Sequence, residues 1–468
     1  MTLVAVVFLA TGTARGAEHR VRDAETLAAA IATAQPGDVI LMRGGEWSDA
    51  AISFTGEGTP EQPITLRAEE LGTVILTGRS SLKLGGQHLV VEGLRFEQIT
   101  HGQTIVEFRA GSRVATDSRL TGCRIVDCNP PLQETNTKWV SLYGFRNRVD
   151  HCYIAGKTNL GTTLVVWLSD QPNEHRIDHN YFGPRPPLGQ NGGETIRVGT
   201  SDWSMHVSRT RVEFNLFEGC NGEVEIISNK SCENTYRYNT FRRCEGTLTL
   251  RHGNRCTVEG NFFLGDRQPR TGGVRVIGED HRVFNNYFFE LEGEGAYSAL
   301  SLMQGIVDSP LAGYSQVKRA TVAFNTFIRC RSTLVIGQPG SRTSLPPEKS
   351  VIVNNVMLGA GSAVITEPLA ASTVSYRSNV FFGAPLGIPA RSGLVMQDPQ
   401  LVGEGLWRPA IDSPLRGAAT GESDGIVDDI DGHPRGAERD IGCDQHSTLP
   451  MVRRPLSAGD VGPAWAIR

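Results

Sequence analysis

Short apolar runs alternate with polar positions along most of this chain, and Gly or Asn punctuates them. In "EVEI" at residues 223–226 and "TLTL" at 247–250 the period is two, the spacing of a strand whose faces differ. Helical periodicity is scarce, so β-branched and aromatic strands with tight turns dominate the reading. One phrase keeps returning: "DHNYF" at Asn180, "EFNLF" at Asn215, "RYNTF" at Asn239, "EGNFF" at Asn261, "FNNYF" at Asn286, "AFNTF" at Asn325, "VNNVM" at Asn355 and "RSNVF" at Asn379. From Asn215 the successive gaps are 24, 22, 25, 39, 30 and 24 residues. Weaker copies at Leu94, Cys123 and Cys152 lead to Asn180 at spacings of 29, 29 and 28. A period of this size with variable insertions marks a solenoid. A leucine lattice is missing, so a parallel β-helix fits, each turn adding strands about 4.8 Å above the last. The recurrent Asn is expected to take a left-handed bend and to bond its amide up and down the stack.

The cysteines follow the same register. Cys220, Cys244 and Cys330 each sit five residues after their repeat Asn, Cys128 sits five after Cys123, and Cys232 and Cys256 sit seventeen after theirs. Stacked equivalents of this kind are expected to line the interior as small apolar residues, with a disulfide between coils allowed but not required. A solenoid also needs its ends covered. "DAETLAAAIATAQPGD" predicts a capping helix over about 24–35 with Asp23 as N-cap, and "VILMRGGEW" reads as the first strand. "DIDGHPRGAERDIGCDQ" suits a closing segment, and 447–468 shows no core pattern. These limits make 17–446 a single β-helix domain.

Parity then gathers charge on one face. With Val224 and Ile226 inward, Glu223 and Glu225 point out, and Glu223 is expected to stack in register with Thr247. By the same rule Arg197, Arg251 and Arg275 face outward on neighbouring coils, with Lys230 where its strand leaves the sheet. A solvated charge ladder and a binding site both fit this row. Paired carboxylates on a rigid strand suit a hard cation such as Ca²⁺, and Asn191, in the turn before Arg197, adds a third oxygen.

Composition narrows the classes further. The 468 residues carry a formal charge of −4 and are 39% hydrophobic, which gives no nucleic-acid footprint. No apolar stretch is long enough to span a bilayer. The run from Leu3 to Ala10, followed by Ala14 and Gly16 at a cleavage-like spacing, reads as a secretory leader over 1–16, although no Lys or Arg precedes it. A secreted or periplasmic bacterial protein is the expectation.

The segments "NGGETIRVG", "GEVEIISNKS" and "LRHGN" resemble polysaccharide lyase family six, the alginate lyases and chondroitinase-B-like enzymes. The likeness runs from the cap helix to "DIGCD". It implies an all-β, right-handed single-stranded parallel β-helix with an N-terminal capping helix. It implies Asn191, Glu223 and Glu225 as Ca²⁺ ligands, Lys230 as catalytic base and Arg251 as catalytic acid. Arg275 matches as a substrate-side contact, with Arg197 and His252 in support. The implied reaction is Ca²⁺-assisted β-elimination at a 4-linked uronate, leaving a 4,5-unsaturated end. Alginate is the expected acidic polysaccharide, with dermatan sulfate as the alternative. Two other classes stay open here. One is an inverting glycoside hydrolase, since carboxylates at i and i+2 fall within the required separation. The other is a non-catalytic carbohydrate-binding β-helix.

Overall fold

The computed structural model describes residues 16–369, 373–421 and 425–466. The expected leader falls almost wholly outside them. Each repeat folds into one coil of three short strands, and the strands stack into three parallel sheets of 14 strands each. This is the parallel β-helix that the repeat period predicts. The first sheet begins at Glu18–Val21, which pairs with Val39–Met42, so a strand precedes the helix and "VILM" is the second strand. The helix spans Ala24–Thr33 and is capped by Asp23, whose carboxylate accepts from the Thr26 N–H while the Thr26 hydroxyl closes the capping box. Its Leu27, Ala30 and Ile31 join the main core and cover the open end of the first coils.

The repeat Asn side chains form one continuous buried ladder. From Asn180 through Asn355, each donates its backbone N–H and its Nδ2 to the Oδ1 of the next, at 2.9–3.1 Å. The left-handed bend expected at these residues lies one position earlier. His179, Phe214, Tyr238, Gly260, Asn285, Phe324, Asn354 and Ser378 take φ between 47° and 63°. That bend turns the following Asn inward, where its amide replaces backbone partners the corner would otherwise lose. Two residues after the ladder, Phe182, Phe217, Phe241, Phe263, Phe288 and Phe327 stack with centroids 4.6–5.0 Å apart. All nine cysteines are buried and free; seven line the main core as expected, while Cys443 packs on the outside of the third sheet.

Asn239→Ala strips the acceptor from both the backbone N–H and the Nδ2 of Asn215. Each donor left unsatisfied costs about 1–3 kcal/mol. The expected result is a lower Tm in a thermal melt; a melt matching the parent would show that the ladder is dispensable there.

A second expectation concerns Lys157, which is 1% exposed and donates to Thr137 Oγ1 at 2.9 Å and Asn159 Oδ1 at 2.6 Å. Burial, then the charges of Arg185 and Lys138, pull its amine down to about 6. Between about 6 and the ordinary lysine value the unfolded chain holds the extra proton, so this group makes stability rise with pH through that window. Tm of the parent relative to Lys157→Met should therefore climb from pH 6 to 9. Parallel Tm curves for the two proteins would refute it.

The closing segment does not sit over the end of the coil. Ile430 and Cys443 pack on Phe262, Tyr287 and Ile328 along the outside of the third sheet. The chain then runs back along the helix, with the Leu456 N–H on Thr240 Oγ1 and Trp465 Nε1 on the Gly122 carbonyl.

Candidate active site

The charged row lies on the second sheet, across strands Ile196–Gly199, Glu225–Lys230, Gly246–His252 and Thr271–Val276. Arg197, Ser228, Thr249 and Arg275 stack in one ladder, and Ile196, Ile227, Leu248 and Val274 form the inward ladder beside it. Three register shifts interrupt this region, two of them between strands Glu225–Lys230 and Gly246–His252. At the first, Ile226 is the extra residue: Glu225 pairs with Thr247, Ile227 with Leu248, and both Ile226 and Ile227 are buried. The expected register of Glu223 with Thr247 is therefore wrong by two residues. Glu223 lies in a bend before the strand rather than on it, so strict parity does not govern it. At the second bulge Asn229 pairs with Leu250 and Lys230 with His252, which leaves Arg251 as the unpaired residue. Bulges re-aim side chains in this way.

The two glutamates do converge, and a third joins them. One carboxylate oxygen from each of Glu194, Glu223 and Glu225 lies within 4.8 Å of the other two. Glu223 Oε2 accepts from the Gly192 N–H at 3.3 Å, while Oε1 is buried with no hydrogen-bond partner. Burial, reinforced by the charges of Glu194 and Glu225, pushes the Glu223 carboxyl up to about 8 against the opposing Gly192 N–H and Lys230. Glu225 is 6% exposed; its Oε2 accepts from Ser228 Oγ and its Oε1 from Arg275 Nη2, each at 2.5 Å. Three carboxylates converge while Arg275 and Arg251 both pair with Glu225 alone, which leaves negative charge in excess at Glu194 and Glu223. Together with the orphaned Glu223 oxygen this fits a divalent cation. Asn191 is exposed and lines a cavity of about 420 Å³ shared with Glu223, Glu245, Arg270 and Tyr297.

Glu194 was not legible from the sequence. Period two would put it on the inner face with Ile196 and Val198, but it precedes the strand, where alternation no longer holds. Its place is fixed by Arg185, whose Nη1 holds the Glu194 carbonyl at 2.8 Å while Thr162 Oγ1 reaches Oε2 at 3.2 Å.

The basic side chains divide by role. Lys230 is half-buried at the last position of its strand, and among the described residues its amine makes no hydrogen bond or ion pair. Arg251 Nε is 3.7 Å from Glu225 Oε1. Its Nη1 donates to the Gly313 carbonyl at 2.8 Å and its Nη2 to that of Ala312 at 3.2 Å, and the guanidinium carbon stands 4.2 Å from the Tyr314 ring. His252, 5% exposed, touches Ser201 Oγ at 3.3 Å and Arg251 Nη1 at 3.4 Å. Burial, then Arg251 and Lys230, pull it down to about 3, so the ring is neutral and supports Arg251. Arg275, matched in the sequence as a substrate-side contact, is 4% exposed and bonds Glu225, which holds that carboxylate in place. Arg197 is half-buried with its guanidinium carbon 5.4 Å from the Trp167 ring.

The chondroitinase B family model matches residues 21–410. The chain superposes on an enzyme described as a mannuronic acid specific polysaccharide family 6 lyase from human gut microbiota. That match has 33% identity and a TM-score of 0.72, over 78% of this chain and 86% of that one. The chain belongs to polysaccharide lyase family six. Other family-six structures agree. The alginate lyase AlyGC gives 37% identity and a TM-score of 0.81 over 95% of this chain, and the lyase Pedsa3628 of Pseudopedobacter saltans gives 26% and 0.71 over 95%. This family-six chain spans 60% of the AlyGC chain and 99% of Pedsa3628. No curated protein matches it.

Proposed function

We propose that this chain cleaves a 4-linked uronate polysaccharide, alginate, by Ca²⁺-assisted β-elimination. The observation that carries this reading is the unengaged Lys230 amine beside the Glu194–Glu223–Glu225 cluster, with Arg251 projected by a bulge on the next strand. Glu223, Glu225 and Glu194, with Asn191 at the cavity mouth, would hold the ion, which would neutralise the uronate carboxylate and stabilise charge growing at C5. Lys230 would take the C5 proton. The C5–H electrons form the C4–C5 double bond, the C4–O4 bond breaks, and the departing oxygen acquires a proton from solvent water. Arg251 would stabilise charge on that oxygen, since a guanidinium rarely gives up its own proton. Arg275 and His252 would position Glu225 and Arg251.

The elimination reading also separates the site from hydrolysis. An inverting hydrolase needs one carboxyl as acid and one as base with water between them. Here three carboxylates crowd to within 4.8 Å, and Glu225 is already bonded to Arg275. The test is to incubate the protein with polymannuronate, polyguluronate and dermatan sulfate. A new ultraviolet absorbance with shortening of an alginate block is expected. Shortening without absorbance would mean hydrolysis, and binding without shortening would mean a carbohydrate-binding role. Dermatan sulfate is the second reading, favoured by the match to the chondroitinase B model.

A further inference from the structure

A second group of ligand-type side chains lies far from this site, on the segment that packs along the third sheet. Asp429, Asp431, Asp444 and His433 are all buried, and one ligand atom from each lies within 4.8 Å of all the others. The loop Asp429–His433 is closed on itself: the Asp429 N–H donates to the His433 carbonyl at 2.9 Å, and the His433 N–H to Asp429 Oδ1 at 2.7 Å. Asp444 is brought in by Cys443, whose N–H donates to Thr326 Oγ1 on the third sheet at 2.9 Å.

An acidic cluster alone would say little, but His433 adds an independent observation. Its side chain is 7% exposed. Its Nε2 lies 3.0 Å from the Leu449 carbonyl and 3.2 Å from that of Pro450. Carbonyls only accept, so Nε2 carries a proton and Nδ1 is the nitrogen turned toward the aspartates. That Nδ1 is buried, makes no hydrogen bond, and faces Asp429 Oδ2 at 3.4 Å. That contact is repulsive unless something positive, a metal ion or a proton on Nδ1, sits between the two atoms. A histidine whose far nitrogen donates to backbone carbonyls is also the usual arrangement of a metal-bound imidazole.

Charge leads to the same place. Arg408 reaches Asp431 Oδ1 with Nη2 at 2.6 Å and stands 3.7 Å from Asp444 Oδ1. Among the described residues it is the one guanidinium ion-paired with this group, and it reaches two of the three aspartates; Asp429 accepts from the backbone N–H groups of His433 and Gln445. Arg435 spends its bonds on the carbonyls of Asp440 and Gly442 and on Asn285 Oδ1, and Arg453 on Asp428 and backbone carbonyls. Three carboxylates against one guanidinium leave a deficit of two. Ligands about 2.1–2.4 Å from one ion stand about 4.2–4.8 Å apart when opposite, which the present spacing nearly meets.

We propose that Asp429, Asp431, Asp444 and His433 form a second divalent-cation site, of a class that accepts mixed oxygen and imidazole ligands such as Mn²⁺ or Zn²⁺, pinning the C-terminal segment to the third sheet. The test uses full-length protein stripped of metal and titrated with Mn²⁺, the bound fraction being read by electron paramagnetic resonance. Glu223→Gln weakens the first centre and is expected to keep one tight equivalent. Adding Asp431→Asn and Asp444→Asn to that background should remove it. If the triple variant fails to fold by circular dichroism, His433→Gln in the Glu223→Gln background replaces it and should weaken Mn²⁺ binding at least about tenfold. Absence of tight Mn²⁺ in Glu223→Gln overturns the proposal and means that a proton on Nδ1 serves instead. An equivalent that survives in the folded triple variant, or is unweakened by His433→Gln, also overturns it, because the ion is then bound elsewhere.

Discussion

Lys230→Ala is expected to lower kcat on a polyuronate by about 10²–10⁴-fold, the range for a lost general base, with little change in KM. The side chain is a clean target. It makes no hydrogen bond or ion pair among the described residues, and it sits at the last position of its strand, so removing it leaves no buried partner unsatisfied. Folding should therefore survive, with circular dichroism and Tm close to the parent. Lys230→Arg should be equally inactive, because a guanidinium keeps the charge but cannot accept the proton. A folded Lys230→Ala protein that retains kcat within about tenfold of the parent would remove Lys230 as the base.

The scaffold was legible because its determinants are local and repeated. Each "NxF" phrase states one coil, and the Asn ladder and Phe stack only make that statement continuous. The left-handed corner was misplaced by one residue because Asn is the residue usually associated with that conformation. Here Phe214, Tyr238 and Phe324 accept it so that the next side chain can turn inward. The site was legible only as far as strand parity reaches. Arg197 and Arg275 follow from it, but the bulges at Ile226 and Arg251 shift the register between strands Glu225–Lys230 and Gly246–His252, and a bulge leaves no mark in an alternation pattern. Glu194 and Glu223 lie in bends before their strands, where position is set by hydrogen bonds from Arg185 and Gly192. Arg275 shows the same limit from another side. Parity correctly sends it outward, but only the three-dimensional neighbourhood reveals that Glu225 takes up its guanidinium.

Thorough chelation is expected to suppress turnover by at least about 10²-fold, and added Ca²⁺ to restore it. Glu223→Gln should raise the Ca²⁺ concentration needed for half-maximal activity by at least about tenfold. Glu223 is a better probe than Glu225. Removing Glu225 would also free Arg275 and disturb Arg251, which stands 3.7 Å from the same oxygen. Glu223 engages only the Gly192 N–H through Oε2, and its buried Oε1 has no protein partner to lose. An amide at this position keeps the shape of the side chain and removes an ionisable carboxyl that burial and the charges of Glu194 and Glu225 push up to about 8. In the metal-free protein the change should therefore be neutral or stabilising, because it relieves repulsion from Glu194 and Glu225. The two readouts thus move in opposite directions: weaker Ca²⁺ activation, with equal or higher Tm in chelator. A Glu223→Gln protein destabilised in chelator and unaltered in its Ca²⁺ dependence would show that the carboxylates serve the fold rather than an ion.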